Sequence, residues 1–316
     1  HVIVHSFPTR RSSDLRQVPR DRLKPYFDRL LWKGLVDAVI QAGMEPYFVP
    51  WDWRLSTQDA VGLYLRPVIT EAKRRSGQSK VHIVAHSLGG LLTREYVQGS
   101  SYANDIDRLA LVGSPAGGSA LAYYLWDGGD PQTADSMQPF SLPGLIVRKM
   151  YENTSKNIYR GLTGRPPSSL TMRQWRDFIH TNAPSLSQLR PVFPVLRPQG
   201  APSPAPMAGA SGFYCSLLAA DPDRLRMQPP ESAGPNAVKT RLFLSTGEET
   251  VSVVHVSIPF AGVYPEGWPL MERGQYVYDT APGDGTVRAS SALYGLDHLS
   301  SGAFRSPSGN HAMLPS

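Results

Sequence analysis

A serine hydroxyl becomes a useful nucleophile only when a base takes its proton and a third group orients that base. Ser87 lies in the run VHIVAHSLGGLL, where an apolar, β-branched stretch breaks sharply and passes at once into a helical pattern. A tight strand-to-helix turn of this kind lifts a serine above the end of a sheet. The turn needs small residues two before and two after the serine, and Ala85 and Gly89 occupy those places. The result is A-H-S-L-G where the usual pattern is G-x-S-x-G, with alanine in the first glycine's place. The competing reading is a serine that merely caps a helix. On the catalytic reading, the backbone N–H of Leu88, at the start of the helix, is the expected donor to an oxyanion.

Proteins with such an elbow place the acid after the serine and the histidine last. APGDGTV offers Asp284 on a glycine-flanked loop after the apparent strand QYVYD. Aspartate–glycine pairs also form plain turns, and Asp279 and Asp297 are competing carboxylates. For the base, His311 in SPSGNHAMLPS is favoured over His298 in YGLDHLS, because its Gly/Ser/Pro-flanked loop precedes a plausible last helix. His86 adjoins the nucleophile and is read as a structural neighbour. His82, His180 and His255 carry no recognisable spacing. No H-E-x-x-H run or Asp/His cluster suggests a metal, and no cofactor is expected. Cys215 is alone, which excludes an intramolecular disulfide and suits a buried small hydrophobe.

The elements that must hold these residues follow from periodicity. Phe27, Leu30, Leu31, Leu35, Ala38, Val39 and Ala42 recur at helical steps from Pro25 to a stop at Gly43. EPYFVP reads as a short strand. Ser56 with Asp59 resembles a helix N-terminal capping signal, and Val61, Tyr64, Leu65, Val68, Ile69 and Ala72 give the next helix its apolar face, closed by Gly77. KVHIVA and DIDRLALVGSP are strands without strict alternation, as expected where both faces are buried. Strand and helix in turn, with short connectors, imply a parallel sheet with helices on both faces. Residues 119 to 236 break the rhythm with turn-rich stretches such as PQTADSMQPFSLPG and PQGAPSPAPMAG. They are read as an inserted cap or lid. From Thr240 the rhythm returns with RLFLSTG, VSVVHVSI and QYVYD. The fold class expected is α/β, an α/β-hydrolase fold with core segments at 16–118 and 237–316 around a cap at 119–236.

In the 316-residue chain, 41% hydrophobic and 18% charged residues argue against disorder. The net charge of +6 suits an anionic surface or a plain solvated one. No basic run with interleaved aromatics points to nucleic acid, and no stretch reaches the roughly 18 apolar residues of a membrane span. The run His5 to Leu15, HSFPTRRSSDL, resembles translated sequencing-adapter DNA, so residues 1–15 are read as a non-native leader. On that reading, the N-terminal strand and the loop carrying the second oxyanion donor are missing. Loss of one such donor costs roughly 10²–10³ in turnover, so the chain is expected to be impaired.

Several segments resemble the lecithin:cholesterol acyltransferase-like family, with its lysosomal phospholipase and phospholipid:diacylglycerol acyltransferase relatives. They are PWDWRLS, VAHSLGG, LVGSPAGGS, PGDGTV with a later histidine, and PSLSQLRPVFP, in the family's order from about residue 25 to 316. Trp51 stands where the family has tyrosine, and Ala85 where it has glycine. The resemblance implies a triad of Ser87, Asp284 and His311. It also implies that Trp51, Asp52 and Trp53 shape the floor of the site, with Asp52 and Arg54 paired. The implied activity is a serine-dependent lipid acyl hydrolase or O-acyltransferase on a lipid ester, working through an acyl-serine. Leu145, Ile146, Met150, Leu162, Trp175 and Phe178 would cover an acyl pocket or form the cap's own core. The alternatives are an esterase on small soluble substrates and a non-catalytic lipid-binding protein.

Overall fold

The computed structural model describes residues 2–5, 27–126, 176–177, 179–181, 183–207, 224–226, 237–257, 267, 269–272, 275–309 and 311. The chain-order elements of the central sheet are β1 (Val2–His5), β2 (Tyr47–Pro50), β3 (Val81–His86) and β4 (Ile106–Val112). Helix α1 (Phe27–Gln41) precedes β2. A short α2 (Thr57–Ala60) runs through a π turn into α3 (Arg66–Ser76), and α4 (Leu88–Gln98) follows β3. The capping signal read at Ser56 is real, since its hydroxyl accepts from the Asp59 amide at 3.1 Å. Downstream come α5 (Leu121–Trp126), α6 (Pro184–Gln188) and β5 (Leu196–Pro198). The rest are β6 (Leu225–Arg226), β7 (Val238–Ser245), β8 (Glu248–Val256), β9 (Met271–Glu272), β10 (Gln275–Tyr276), β11 (Tyr278–Gly283), α7 (Ala289–Leu293) and β12 (Phe304–Ser306).

Seven strands form one sheet in the order β12-β7-β4-β3-β1-β2, with β6 also on β7. Every pairing in it is parallel. Parallel neighbours require crossovers, and helices supply them. With the serine on the turn after β3, this is the α/β-hydrolase fold expected from the sequence. Helix α4 is the sheet's main packing partner, and Leu91, Leu92 and Val97 on it are fully buried. Burying each such side chain contributes about 1.5–3 kcal/mol. That burial fixes the helix whose first residue follows Ser87.

Two expectations change. The first is that no strand precedes Arg16. Val2–His5 is a strand between β3 and β2, with Val4 opposite Ala85 and Val49. The run Val2–Val4 is β-branched, as suits a strand, a signal set aside where residues 1–15 are read as a leader. The second concerns β8 and β11, read as a return of the central sheet. They instead pair antiparallel with each other and join β5 in a separate three-stranded sheet. A second hydrophobic cluster lies there, joining Tyr123, Tyr124, Val195, Leu196 and Met207 to Val251, Val254, Val256 and Tyr276. Alternation along β8 marks an antiparallel strand with one covered face.

Candidate active site

Ser87 sits between β3 and α4 with φ 54° and ψ −131°. Among the described residues, only Ser87 and Asn104 are non-glycine residues with positive φ. Such a conformation costs about 1–3 kcal/mol and persists only where its surroundings enforce it. Here the Ser87 amide donates to the Val112 carbonyl of β4 at 2.9 Å, and the Gly90 amide donates to the Ser87 carbonyl at 2.9 Å. Ala85 is fully buried beneath the turn. Gly90 has no room for a side chain, because a Cβ there would lie 1.9 Å from Ser114 Oγ and 2.5 Å from Ser114 Cβ. Gly90→Ala should lower stability by about 1–3 kcal/mol through overpacking. Denaturant unfolding checks this, and Ser114→Gly in the same chain should recover most of the loss.

Asp284 and His311 come to Ser87 from far along the chain. His311 Nε2 lies 2.7 Å from Ser87 Oγ, and His311 Nδ1 lies 2.8 Å from Asp284 Oδ2. Asp284 is 2% exposed. Its Oδ1 accepts from the amides of Thr286 at 3.0 Å and Val287 at 2.7 Å. An ionised carboxylate only accepts, so His311 carries its proton on Nδ1. Nε2 is then a lone pair, and the serine hydroxyl donates to it. The His311 amide donates to the Asp284 carbonyl at 2.7 Å, which clamps base and acid together through the main chain as well.

The competing residues lie in other bonds. Asp279 accepts from His255 Nε2 at 3.0 Å and Arg197 Nη1 at 2.9 Å. His298 Nε2 donates to the Leu225 carbonyl at 2.8 Å. Asp297 is exposed at the start of a 3-10 turn. Among the described residues, no group of three or more His, Cys, Asp or Glu side chains can hold a metal ion.

The SPAGGS run holds this arrangement from outside. Ser119 Oγ donates to the Thr286 carbonyl at 2.8 Å, Ser291 Oγ donates to the Gly118 carbonyl at 2.5 Å, and the Gly117 amide donates to the Ser291 carbonyl at 2.9 Å. Gly118 has φ 87°, and a Cβ there would lie 2.6 Å from both the Arg190 carbonyl oxygen and Pro191 Cα, so only glycine fits. Thr250 Oγ1 accepts from the Gly285 amide at 2.8 Å. Trp51 and Trp53 are buried at 0% and 6% exposure in the same core cluster as Ala85 and Leu88. Arg54 donates to Asp52 through Nε at 2.8 Å and again through Nη2, so the expected pair forms. That hydrogen bond is the main reason the Arg54 pKa is raised. The Arg54 carbonyl accepts from Ser185, and Gln188 Oε1 accepts from the Thr57 amide, which ties the segment to α6.

Leu88 is the first residue of α4, so its amide has no intrahelical acceptor. Residues 6–26, which follow β1, lie outside the described residues, as do Cys215 and the cap residues Leu145, Ile146, Met150, Leu162, Trp175 and Phe178. The sequence reading missed the supporting roles of Ser119, Thr250 and Ser291. Ser119 alone carried a signal, as the last residue of SPAGGS.

Residues 23–153 match the model of the Lecithin:cholesterol acyltransferase family. Two solved structures are similar at low identity. The Tle4–Tli4 complex is 13% identical with a TM-score of 0.48, over 85% of this chain and 63% of that one. EstA from Clostridium botulinum is 13% identical with a TM-score of 0.38, over 92% of this chain and 73% of that one. The chain thus spans less than two thirds of the first of these. No curated protein sequence matches the chain.

Proposed function

From the premise that residues 23–153 are lecithin:cholesterol acyltransferase-like, we propose that this protein is a serine-dependent acyl hydrolase or acyltransferase acting on lipid esters. What carries the reading is the hydrogen-bonded line from Ser87 through His311 to Asp284, at 2.7 and 2.8 Å, beginning at a strained elbow. In the reaction, Ser87 Oγ attacks the acyl carbonyl while His311 Nε2 takes its proton. The Leu88 amide stabilises the oxyanion. Collapse of the tetrahedral intermediate breaks the ester C–O bond, and His311 returns the proton to the leaving alcohol. The acyl-serine then passes to water or to an acceptor alcohol by the same steps, with His311 deprotonating the incoming hydroxyl.

We assign residues 119–236 to a cap over the acyl chain, apart from Leu225–Arg226, which pair with β7 in the main sheet. Ile179, Ala183 and Leu186 support this, because they belong to the same core cluster as Leu88. Exclusion of water by such a cap favours transfer over hydrolysis. Among the described residues, no helix is long and apolar enough to cross a membrane.

A fluorophosphonate probe tests the nucleophile. It should label Ser87, by mass mapping, and labelling should vanish in Ser87→Ala; labelling that persists there sinks the proposal. Turnover of phospholipid vesicles with a long-chain alcohol separates the outcomes, free fatty acid marking hydrolysis and a new ester marking transfer. Turnover confined to short soluble esters would favour a small-substrate esterase, and lipid binding without turnover a non-catalytic protein.

A further inference from the structure

His86 precedes Ser87 on β3 and is 4% exposed. Its Nε2 lies 2.8 Å from the main-chain carbonyl oxygen of His311. A carbonyl oxygen only accepts, so His86 carries a proton on Nε2 and donates it there. The His86 ring also lies against the His311 ring, with centroids 4.7 Å apart and a tilt of 38°. On its other side Trp32 packs edge-on at 5.7 Å. Both main-chain polar groups of His311 are therefore held, the amide by the Asp284 carbonyl and the carbonyl by His86.

This places the nucleophile and the tether of its base on consecutive residues of one buried strand end. Any displacement of β3 carries Ser87 Oγ and the anchor of His311 together, so their 2.7 Å separation is insulated from movement of the rest of the loop. The ring contact limits rotation of the imidazole while Nε2 faces first the serine and then the leaving oxygen. We propose that His86 is a positioning residue that fixes His311 for proton transfer through the hydrogen bond to its carbonyl and through ring contact. The inference rests on the Ser87–His311–Asp284 mechanism proposed above. Its physical basis is that reacting groups misplaced by about 1 Å lose roughly 10²-fold in rate.

The experiment compares His86→Leu and His86→Gln on the full chain with a lipid ester substrate, correcting each rate for folded fraction. His86→Leu should lower kcat roughly 10- to 100-fold and leave KM within about threefold, because substrate binding is untouched. Gln places an amide nitrogen near the original Nε2, and should restore kcat to within about threefold of the parent. A purely structural role would lower the melting temperature without this kcat-specific loss and without rescue. His86→Leu at parental kcat, or His86→Gln as slow as His86→Leu, overturns the proposal. Should His86→Leu not fold, ¹⁵N NMR of the unsubstituted protein decides the matter. A proton on His86 Nε2 is expected, and a ring protonated on Nδ1 alone overturns the assignment. Ser87→Ala is measured alongside: turnover that survives it removes the mechanism itself, whereas an inert Ser87→Ala with parental His86→Leu removes only the role of His86.

Discussion

Alanine at His311 should lower kcat as far as alanine at Ser87, and the double substitution should lower it no further. With His311 Nε2 at 2.7 Å from Ser87 Oγ, the two side chains perform one act, transfer of the serine proton during attack. Removing either leaves nothing for the other to do. The fall expected for each is roughly 10⁶ in kcat, as for groups that act as a unit. The floor that remains comes from binding and from the oxyanion donor, about 10³–10⁴ over the uncatalysed reaction. Measuring kcat for the two single variants and the double variant checks this. Losses that multiply instead of reaching a common floor would show that the residues act separately, and would refute the mechanism. The His311 side chain is 12% exposed and lies outside the main core cluster. His311→Ala also takes a partner from the buried Asp284 carboxylate, so each rate is corrected for the folded fraction measured by thermal unfolding.

Asp284→Asn should cost about 10⁴ in kcat, and the geometry says why a neutral isostere fails here. Asp284 Oδ1 accepts two amide hydrogens, from Thr286 and Val287, while Oδ2 faces His311 Nδ1. An asparagine must keep its oxygen on the two amides, because an NH₂ group there would meet two donors. Its NH₂ then faces Nδ1, which can only accept. The imidazole proton moves to Nε2, where it meets Ser87 Oγ and removes the lone pair that should take the serine proton. ¹⁵N NMR should find neutral His311 protonated on Nε2 in this variant and on Nδ1 in the parent. Asp279→Asn provides the contrast. Its carboxylate serves His255 and Arg197 on the smaller sheet, so kcat should stay within about threefold. A large loss at Asp279 with none at Asp284 would reverse the assignment of the acid.

Much of this site is legible in the chain because its signals are local. The elbow at Ser87 needs only a β-branched run, flanking small residues and a helical pattern, all within about a dozen positions. The Ser56 cap likewise joins residues only three positions apart. Each is settled by backbone geometry near the residue itself, so a single sequence carries it. The alternation in VSVVHVSI was equally visible, but alternation says only that one face is covered. Whether the strand joins the large sheet or β5 and β11 depends on partners far away, and the structure decided for the latter.

The same distinction governs the feature the chemistry depends on most. The sequence determined that Ser87 stands on a strand-to-helix turn, and it supplied carboxylates and histidines in a workable order. It could not determine which carboxylate faces which histidine, since Ser87 and His311 are 224 positions apart and Asp284 and His311 are 27 apart. That choice belongs to packing. The loop holding Asp284 is pinned by Ser119, Thr250 and the amide of His311, while Asp279 is drawn off by Arg197 and His255. The place of Val2–His5 in the sheet and the hold of His86 on the base were also decided by tertiary structure alone. Neither partner can be read from the neighbouring residues, because each is a relation between surfaces that meet only when the chain is folded.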